Sequence, residues 1–155
     1  MTTQNKLQLP QHWAQGWAHC AFTPQAPIAF GAGETILLAE KDATLLKLGT
    51  SLLENLNYRA LTASSGADIL ELCHTEKIEM IVFDVEIEHQ LAETEKVLTG
   101  IRRLQPAMKV LLATAHDVSL GLSSCPLIAG FPLLTKPFTV QSFSHAIHQC
   151  LGAEG

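Results

Sequence analysis

The sequence lacks the features that would mark a membrane, secreted or nucleic-acid-binding protein. None of its apolar runs approaches the roughly 18–20 residues of a membrane helix, and residues 1–17 lack the continuous apolar core of a signal peptide. It has no block of Lys or Arg and a net charge of −5. Hydrophobic residues make up 47% of its 155 residues. These features predict one packed domain with no membrane insertion and no direct nucleic-acid partner.

The sequence also lacks paired cysteines. Its four cysteines, Cys20, Cys73, Cys125 and Cys150, lie far apart and form no C-x-x-C motif. This pattern indicates reduced structural thiols, as in a cytoplasmic protein, and not a disulfide framework.

Residues 1–33 differ in composition from the rest and are predicted to form a tail or linker. Three prolines interrupt the segment, and a Gly-Ala-Gly sequence closes it. Trp13 and Trp17 are four residues apart and would share one face of a short helix. Two alternatives stay open: the tryptophans pack on their own domain, or they form a contact with a second copy (a homodimer) or another domain.

Residues 34–152 alternate regularly between short apolar runs and amphipathic segments. This alternation predicts a parallel α/β sheet with right-handed crossovers, and Gly121, Pro126 and Gly130 predict a short or broken helix before the last strand. The predicted strands are Thr35–Ala39, Tyr58–Ala63, Ile78–Phe83, Lys109–Thr114 and Leu133–Thr135. The predicted helices are Asp42–Leu56, a helix capped by Ser65, Ala92–Leu104 and a final helix from Val140 to Leu151.

Polar residues follow four of these strands at the point where each ends. They are Glu40-Lys41, Asp84, Thr114-Ala115 and Lys136. In open parallel sheets the ligand site lies outside the carboxyl ends of the strands. We therefore expect the functional site at this edge.

These residues resemble the receiver domain of two-component response regulators, over about residues 34–152. The stretches GETILLAEKD and LLTKPF are most similar to receivers of hybrid sensor histidine kinases. The resemblance implies a flavodoxin-like, doubly wound sheet of five parallel strands in the order 2-1-3-4-5, flanked by helices. The irregular fourth helix is predicted by Gly121, Pro126 and Gly130 themselves. It also implies a signalling domain and not an enzyme, beyond its own phosphorylation and dephosphorylation.

The resemblance further implies a role for each residue of the site. Asp84 would accept a phosphoryl group from a histidine kinase or histidine phosphotransfer domain. Thr114 and Lys136 would contact the phosphoryl oxygens. Mg²⁺ would be held by Glu40, by Asp84 and by the backbone carbonyl of Glu86, and no other cofactor is implied.

The sequence departs from the family pattern at Lys41, where a second acidic residue is expected. An ammonium about 5 Å from Mg²⁺ would repel it by roughly 6 kcal/mol at an effective dielectric near 20, an upper bound because the lysine stem can swing into water. Two alternatives would compensate. Asp42 would supply the missing carboxylate, although it is also placed to cap the first helix, or Lys41 itself would pair with Asp84.

Two further departures lie beside the site. The loop after Asp84 lacks the usual Pro-Gly turn, and Glu86 and Glu88 add negative charge there. The position expected to hold a switching aromatic residue is Leu133, three residues before Lys136.

We therefore predict an atypical receiver domain with weak or absent Mg²⁺ binding, acting as a docking or regulatory module. The alternative is a fully active phosphoacceptor at Asp84. A flavodoxin-like binder of a flavin phosphate is disfavoured, because Glu40-Lys41-Asp42 replaces the Ser/Thr/Gly-rich phosphate loop that such a site needs.

Overall fold

Five parallel strands form the centre of the domain. The computed structural model describes residues 27–115 and 126–152, and the strand order is β2-β1-β3-β4-β5. This confirms the predicted flavodoxin-like sheet. The strands are β1 (Thr35–Ala39), β2 (Arg59–Ala63), β3 (Met80–Asp84), β4 (Lys109–Thr114) and β5 (Leu133–Thr135).

Helices connect the strands and cover both faces of the sheet. Asp42 and Ser65 cap the first two helices, as their sequence positions predicted: Asp42 accepts hydrogen bonds from two backbone N–H groups, and Ser65 accepts one from Asp68. The fourth helix is described over one turn, Pro126–Ala129, and residues 116–125 of the segment predicted to be irregular lie outside the described residues. The helices are α1 (Ala43–Asn55), α2 (Gly66–Thr75), α3 (Leu91–Leu104), α4 (Pro126–Ala129) and α5 (Val140–Gly152).

The two faces of the sheet each carry a hydrophobic core. Successive residues of a strand point to opposite faces, so Leu37 and Phe83 join one core while Ile36 and Val82 join the other. Every residue of β1 and β3 is buried. These central strands consist mainly of apolar residues because both of their faces are buried.

The leucines of α1 differ in burial, although they recur at helical spacing. Leu53 and Leu56 are buried, whereas Leu45 and Leu48 are 43% and 62% exposed. The N-terminal half of α1 therefore presents an apolar surface near the carboxyl edge of the sheet.

Residues 27–33 form a strap that runs from α5 to the α1–β2 connection. Ile28 packs against the core beneath α1 and α5, and the Gly31 N–H donates to the carbonyl of Leu56 at 2.7 Å. A side chain at Gly31 would collide with the ring of Tyr58. The predicted division at residue 33 stays a prediction, and Trp13 and Trp17 lie outside the described residues.

Within the described ranges, no helix combines the length and the apolar character needed to cross a bilayer.

Candidate functional site

The strand ends bring the predicted site residues to one edge of the sheet. Glu40 follows β1, Asp84 ends β3, Thr114 ends β4 and Lys136 follows β5. Glu40, Asp84 and Thr114 are buried, at 7%, 6% and 2% exposure. Because parallel strands share the same direction, their carboxyl ends place these four residues together.

Lys136 joins two of the carboxylates. Its Nζ lies 2.7 Å from Glu40 Oε1 and 3.2 Å from Asp84 Oδ2. The Lys136–Pro137 peptide bond is cis. The lysine side chain is 21% exposed and each carboxylate side chain 9%, so the triad is largely shielded from water.

The two acids hold Lys136 in its charged form. Burial by itself lowers the pKa of the Lys136 ammonium, but the hydrogen bond from Lys136 to Glu40 and the charges of Asp84 and Glu40 outweigh burial, so the pKa is raised. The lysine therefore remains a cation at the mouth of the site throughout the physiological pH range.

The other oxygens of these carboxylates accept backbone hydrogen bonds. Glu40 Oε2 accepts from the N–H groups of Lys41 at 3.0 Å and Asp42 at 3.2 Å. Asp84 Oδ1 accepts from the N–H of Glu86 at 2.9 Å. Each of the four carboxylate oxygens thus has at least one donor, and a metal ion would have to compete with these donors.

Lys41 forms no ion pair with Glu40 or Asp84. Its exposed ammonium lies 3.2 Å from Nε2 of His89. The ion pair of Asp84 is made by Lys136, so the suggestion that Lys41 pairs with Asp84 is not what the structure has. The long lysine stem allows this orientation because the ammonium reaches water at little cost.

Asp42 is used as the N-cap of α1. Its Oδ1 accepts from the N–H groups of Thr44 at 2.8 Å and Leu45 at 3.1 Å. Of the two roles weighed for Asp42, the capping role is the one that these contacts support. Its carboxylate is exposed and is turned to the helix terminus.

The loop after β3 is held by a contact that the sequence did not reveal. Glu88 Oε2 accepts from the N–H of Gly66 at 2.8 Å, so this carboxylate caps α2. Its charge is thereby engaged at a positive helix terminus and does not simply add to that of Asp84. Glu86 is exposed, and its backbone N–H donates to Asp84 Oδ1. No local motif links Glu88 to Gly66, which lies 22 residues earlier.

Thr114 and Leu133 occupy opposite ends of the β4–β5 pair. The carbonyl of Thr114 accepts from the N–H of Lys136 at 2.7 Å, which ties the site lysine to β4. Leu133 begins β5 and is 44% exposed. The aliphatic residue therefore stands at the surface, where the family pattern expects an aromatic one.

The donor atoms of the site suit Mg²⁺ in kind, because carboxylate and carbonyl oxygens are its preferred protein ligands. Glu40, Asp84 and the Glu86 carbonyl would hold the ion. Within residues 27–115 and 126–152, however, no three His, Cys, Asp or Glu side chains form a metal-binding group. Lys136 also offsets one of the two negative charges of Glu40 and Asp84.

Known proteins have detectable sequence similarity to this chain. The family described as the response regulator receiver domain matches residues 36–148. The transcriptional regulatory protein GlrR of Escherichia coli K12 is 29% identical over 116 residues, which are 75% of this chain and 26% of that protein. Sensor kinase CckA of Brucella abortus is 24% identical over 119 residues, 76% of this chain and 12% of that protein. The chain spans about a quarter or less of these relatives.

Solved structures agree on the fold. A CheY-like receiver domain protein from Methanospirillum hungatei superposes with a TM-score of 0.68 at 24% identity, covering 77% of this chain and 94% of that one. The receiver domain of sensor histidine kinase PA1611 from Pseudomonas aeruginosa, which has a magnesium ion in its active-site cleft, gives 0.67 at 21% identity, covering 79% and 100%. With its sheet order and the match over residues 36–148, this chain belongs to the response regulator receiver domain family.

Proposed function

We propose that this receiver domain is atypical: Mg²⁺-dependent phosphorylation of Asp84 is weakened, and the domain acts as a docking or regulatory module. The observation that carries this proposal is the charge at the two positions after β1, Glu40 and Lys41, where the family pattern has a pair of acidic residues. Lys41 occupies the second position of that pair, and Lys136 already bridges Glu40 and Asp84.

The chemistry of phosphoryl transfer explains why this arrangement matters. A carboxylate oxygen of Asp84 would attack phosphorus, and the bond from phosphorus to the donor histidine would break. Three phosphoryl oxygens then carry charge that must be neutralised in the site. Lys136 can supply one cation directly, and Mg²⁺, when bound, would supply the rest. With Lys41 in place of a carboxylate, we expect this second contribution to be small.

The same geometry supports a second candidate function, that of an active phosphoacceptor. Asp84 is buried at the end of β3 with Lys136 at 3.2 Å. Thr114 ends the neighbouring strand. A site under no constraint would not need to keep an aspartate, a hydroxyl and a lysine in these three places.

Partners follow from the family. We infer that the domain contacts a histidine kinase or a histidine phosphotransfer domain in the cytoplasm, in or beside a hybrid kinase. The similarity to a sensor kinase supports this assignment. The domain itself would catalyse nothing beyond its own phosphorylation and dephosphorylation.

The experiment is intact-mass measurement after incubation with a small phosphodonor such as acetyl phosphate, with and without Mg²⁺. Wild type, Asp84→Asn and Lys41→Asp are compared. Lys77→Asp is the matched control, because it makes the same charge change at an exposed residue before β3, at the other end of the sheet.

We expect little or no phosphoryl adduct on wild type or Lys77→Asp, and an Mg²⁺-dependent adduct on Lys41→Asp. A stoichiometric adduct on wild type that is lost in Asp84→Asn would instead establish the active phosphoacceptor. No adduct on any variant would show that Lys41 is not what limits the reaction.

A further inference from the structure

An apolar groove between α1 and α5 opens beside the acidic site. It encloses about 500 Å³ and reaches Asp84 and Lys136 at one end. This volume lies within the range of roughly 300–1,000 Å³ that is typical of ligand pockets. Its apolar walls are formed mainly by Leu38, Leu45, Leu48, Leu52, Phe138 and Phe143.

Several apolar side chains in the walls of this groove are exposed. Leu48 is 62% exposed and Leu45 is 43% exposed. Phe138 is half-buried and stacks on Phe143 with 5.0 Å between ring centroids. A contiguous apolar surface of this kind, next to a polar site, is typical of a binding surface.

The strap packs against the core beneath the same two helices. From the α1–β2 connection it passes to α5, where the N–H of Ala29 donates to Ser144 Oγ at 3.2 Å and the carbonyl of Pro27 lies 3.0 Å from His145 Nε2. Because α5 begins at Val140, His145 lies only about 7–8 Å along the helix from the carboxyl edge. Pro27 therefore contacts α5 two residues along the helix from Phe143, which forms part of the groove wall.

The sequence before Pro27 suits an apolar surface. Its 26 residues contain one charged side chain, Lys6, and no Asp or Glu. Trp13 and Trp17 have the spacing that places two aromatic rings on one helical face. Trp17 is ten residues from Pro27, so even a helical connection of about 15 Å would let it reach the groove.

We propose that residues 1–26 fold back onto their own domain and that Trp13 and Trp17 occupy the groove between α1 and α5. Tethering at Pro27 favours this occupant over a free partner, because a short linker gives an effective concentration in the millimolar range. Docking of this segment requires neither phosphorylation of Asp84 nor Mg²⁺.

Intrinsic fluorescence tests the proposal directly, because Trp13 and Trp17 are the two tryptophans of the chain. The full-length protein should show blue-shifted emission and protection from acrylamide. Leu48→Glu, at an exposed position that the fold tolerates, should move the emission to the solvent-exposed value and raise acrylamide quenching several-fold. Circular dichroism should remain unchanged.

Leu133→Glu is the matched control, because Leu133 is also exposed and lines a separate groove between β5 and α5. Its tryptophan emission should equal that of wild type. Solvent-exposed emission in wild type, or a shift caused by Leu133→Glu and not by Leu48→Glu, would overturn the proposal. Burial that disappears on dilution would overturn it as well, since it would identify a second copy as the occupant.

Discussion

Two lysines lie near the carboxylates of Glu40 and Asp84, and they differ in their contacts. Lys136 contacts both Glu40 and Asp84, whereas Lys41 follows Glu40 in sequence and directs its ammonium to His89. Lys136 therefore stabilises the carboxylates in the absence of a metal ion. Under the proposed function, Lys41 would weaken Mg²⁺ binding in two ways. It stands where the family pattern has a carboxylate, and it brings a positive charge near the site on a flexible stem.

Replacing Lys41 with Asp should increase the affinity for Mg²⁺. Because the ammonium is already turned outward, we expect roughly a ten- to hundredfold gain, well below the upper bound for a fixed charge. Isothermal titration with Mg²⁺ measures this change, and Lys77→Asp should leave the affinity within about twofold of wild type. An unchanged affinity in Lys41→Asp would show that the acidic pair does not determine metal binding here.

At the scale of elements, substitutions at the N-terminus of α1 distinguish a capping role of Asp42 from a metal-binding role. Asp42→Ala removes the acceptor of the Thr44 and Leu45 N–H groups, so it should lower the free energy of unfolding by about 1 kcal/mol. Asp42→Asn keeps the cap while removing the charge, and should cost much less. Denaturant unfolding and Mg²⁺ titration of both variants provide the measurement.

If Asp42 acts only as a cap, both variants should bind Mg²⁺ as wild type does. A loss of affinity shared by Asp42→Ala and Asp42→Asn would instead assign the carboxylate to the metal. The comparison is decisive because Asn and Asp are nearly equal as N-caps, so charge is the property that differs.

Most elements could be predicted from the sequence because their signals are local. The runs Thr35–Ala39 and Lys109–Thr114 are strands over the predicted residues, since apolar runs between turn signals are typical of buried parallel strands. Ser65 and Asp42 marked helix starts through their capping chemistry. The receiver family could be inferred from the polar residues at the strand ends. They are far apart in sequence, but the parallel strands bring them to the same edge of the sheet.

Contacts that depend on tertiary structure could not be predicted. The leucine spacing of α1 does not reveal that Leu48 faces the surface, because its burial depends on where α5 lies. The partner of Glu88 is Gly66, which is brought near only when α2 and α3 pack together. The direction of Lys41 likewise depends on His89, 48 residues later.

For the whole molecule, alkaline pH should reduce stability through buried protonated groups. Burial raises the pKa of the Cys73 thiol and of the Tyr58 hydroxyl, the latter also through the charge of Glu34. The pKa of Lys136 is raised as well, since its contacts with Glu40 and Asp84 outweigh burial. Each group holds its proton longer in the folded chain than in the unfolded chain.

The free energy of unfolding should therefore fall as pH rises past the unfolded values, about 8.5 for Cys, 10 for Tyr and 10.4 for Lys. The contribution of Lys136 to the free energy of unfolding is fully present below about pH 10.4, its pKa in the unfolded chain. This contribution is lost as the pH rises through the raised pKa of Lys136 in the folded chain. Lys136→Met should remove only the part of the decline above that pH. Denaturant unfolding between pH 8 and 11 tests this, and an identical decline in the variant would contradict the role given to Lys136.

The strap extends the domain beyond the sheet and its helices. Ile28 packs against the core formed under α1 and α5, while Phe30, two residues later, is 60% exposed. Ile28→Ala should therefore lower the free energy of unfolding by about 1–2 kcal/mol, the transfer free energy of a partly buried aliphatic side chain. Phe30→Ala, a larger truncation, should change it by no more than about 0.5 kcal/mol.

Urea unfolding of the two variants beside wild type provides the measurement. If both variants match wild type, residues 27–33 contribute nothing to stability and the domain is bounded near residue 34. If Phe30→Ala is as costly as Ile28→Ala, the exposed face of the strap is itself covered in solution. A cost confined to Ile28→Ala would make the strap part of the folding unit, held there by the packing of Ile28 against the core.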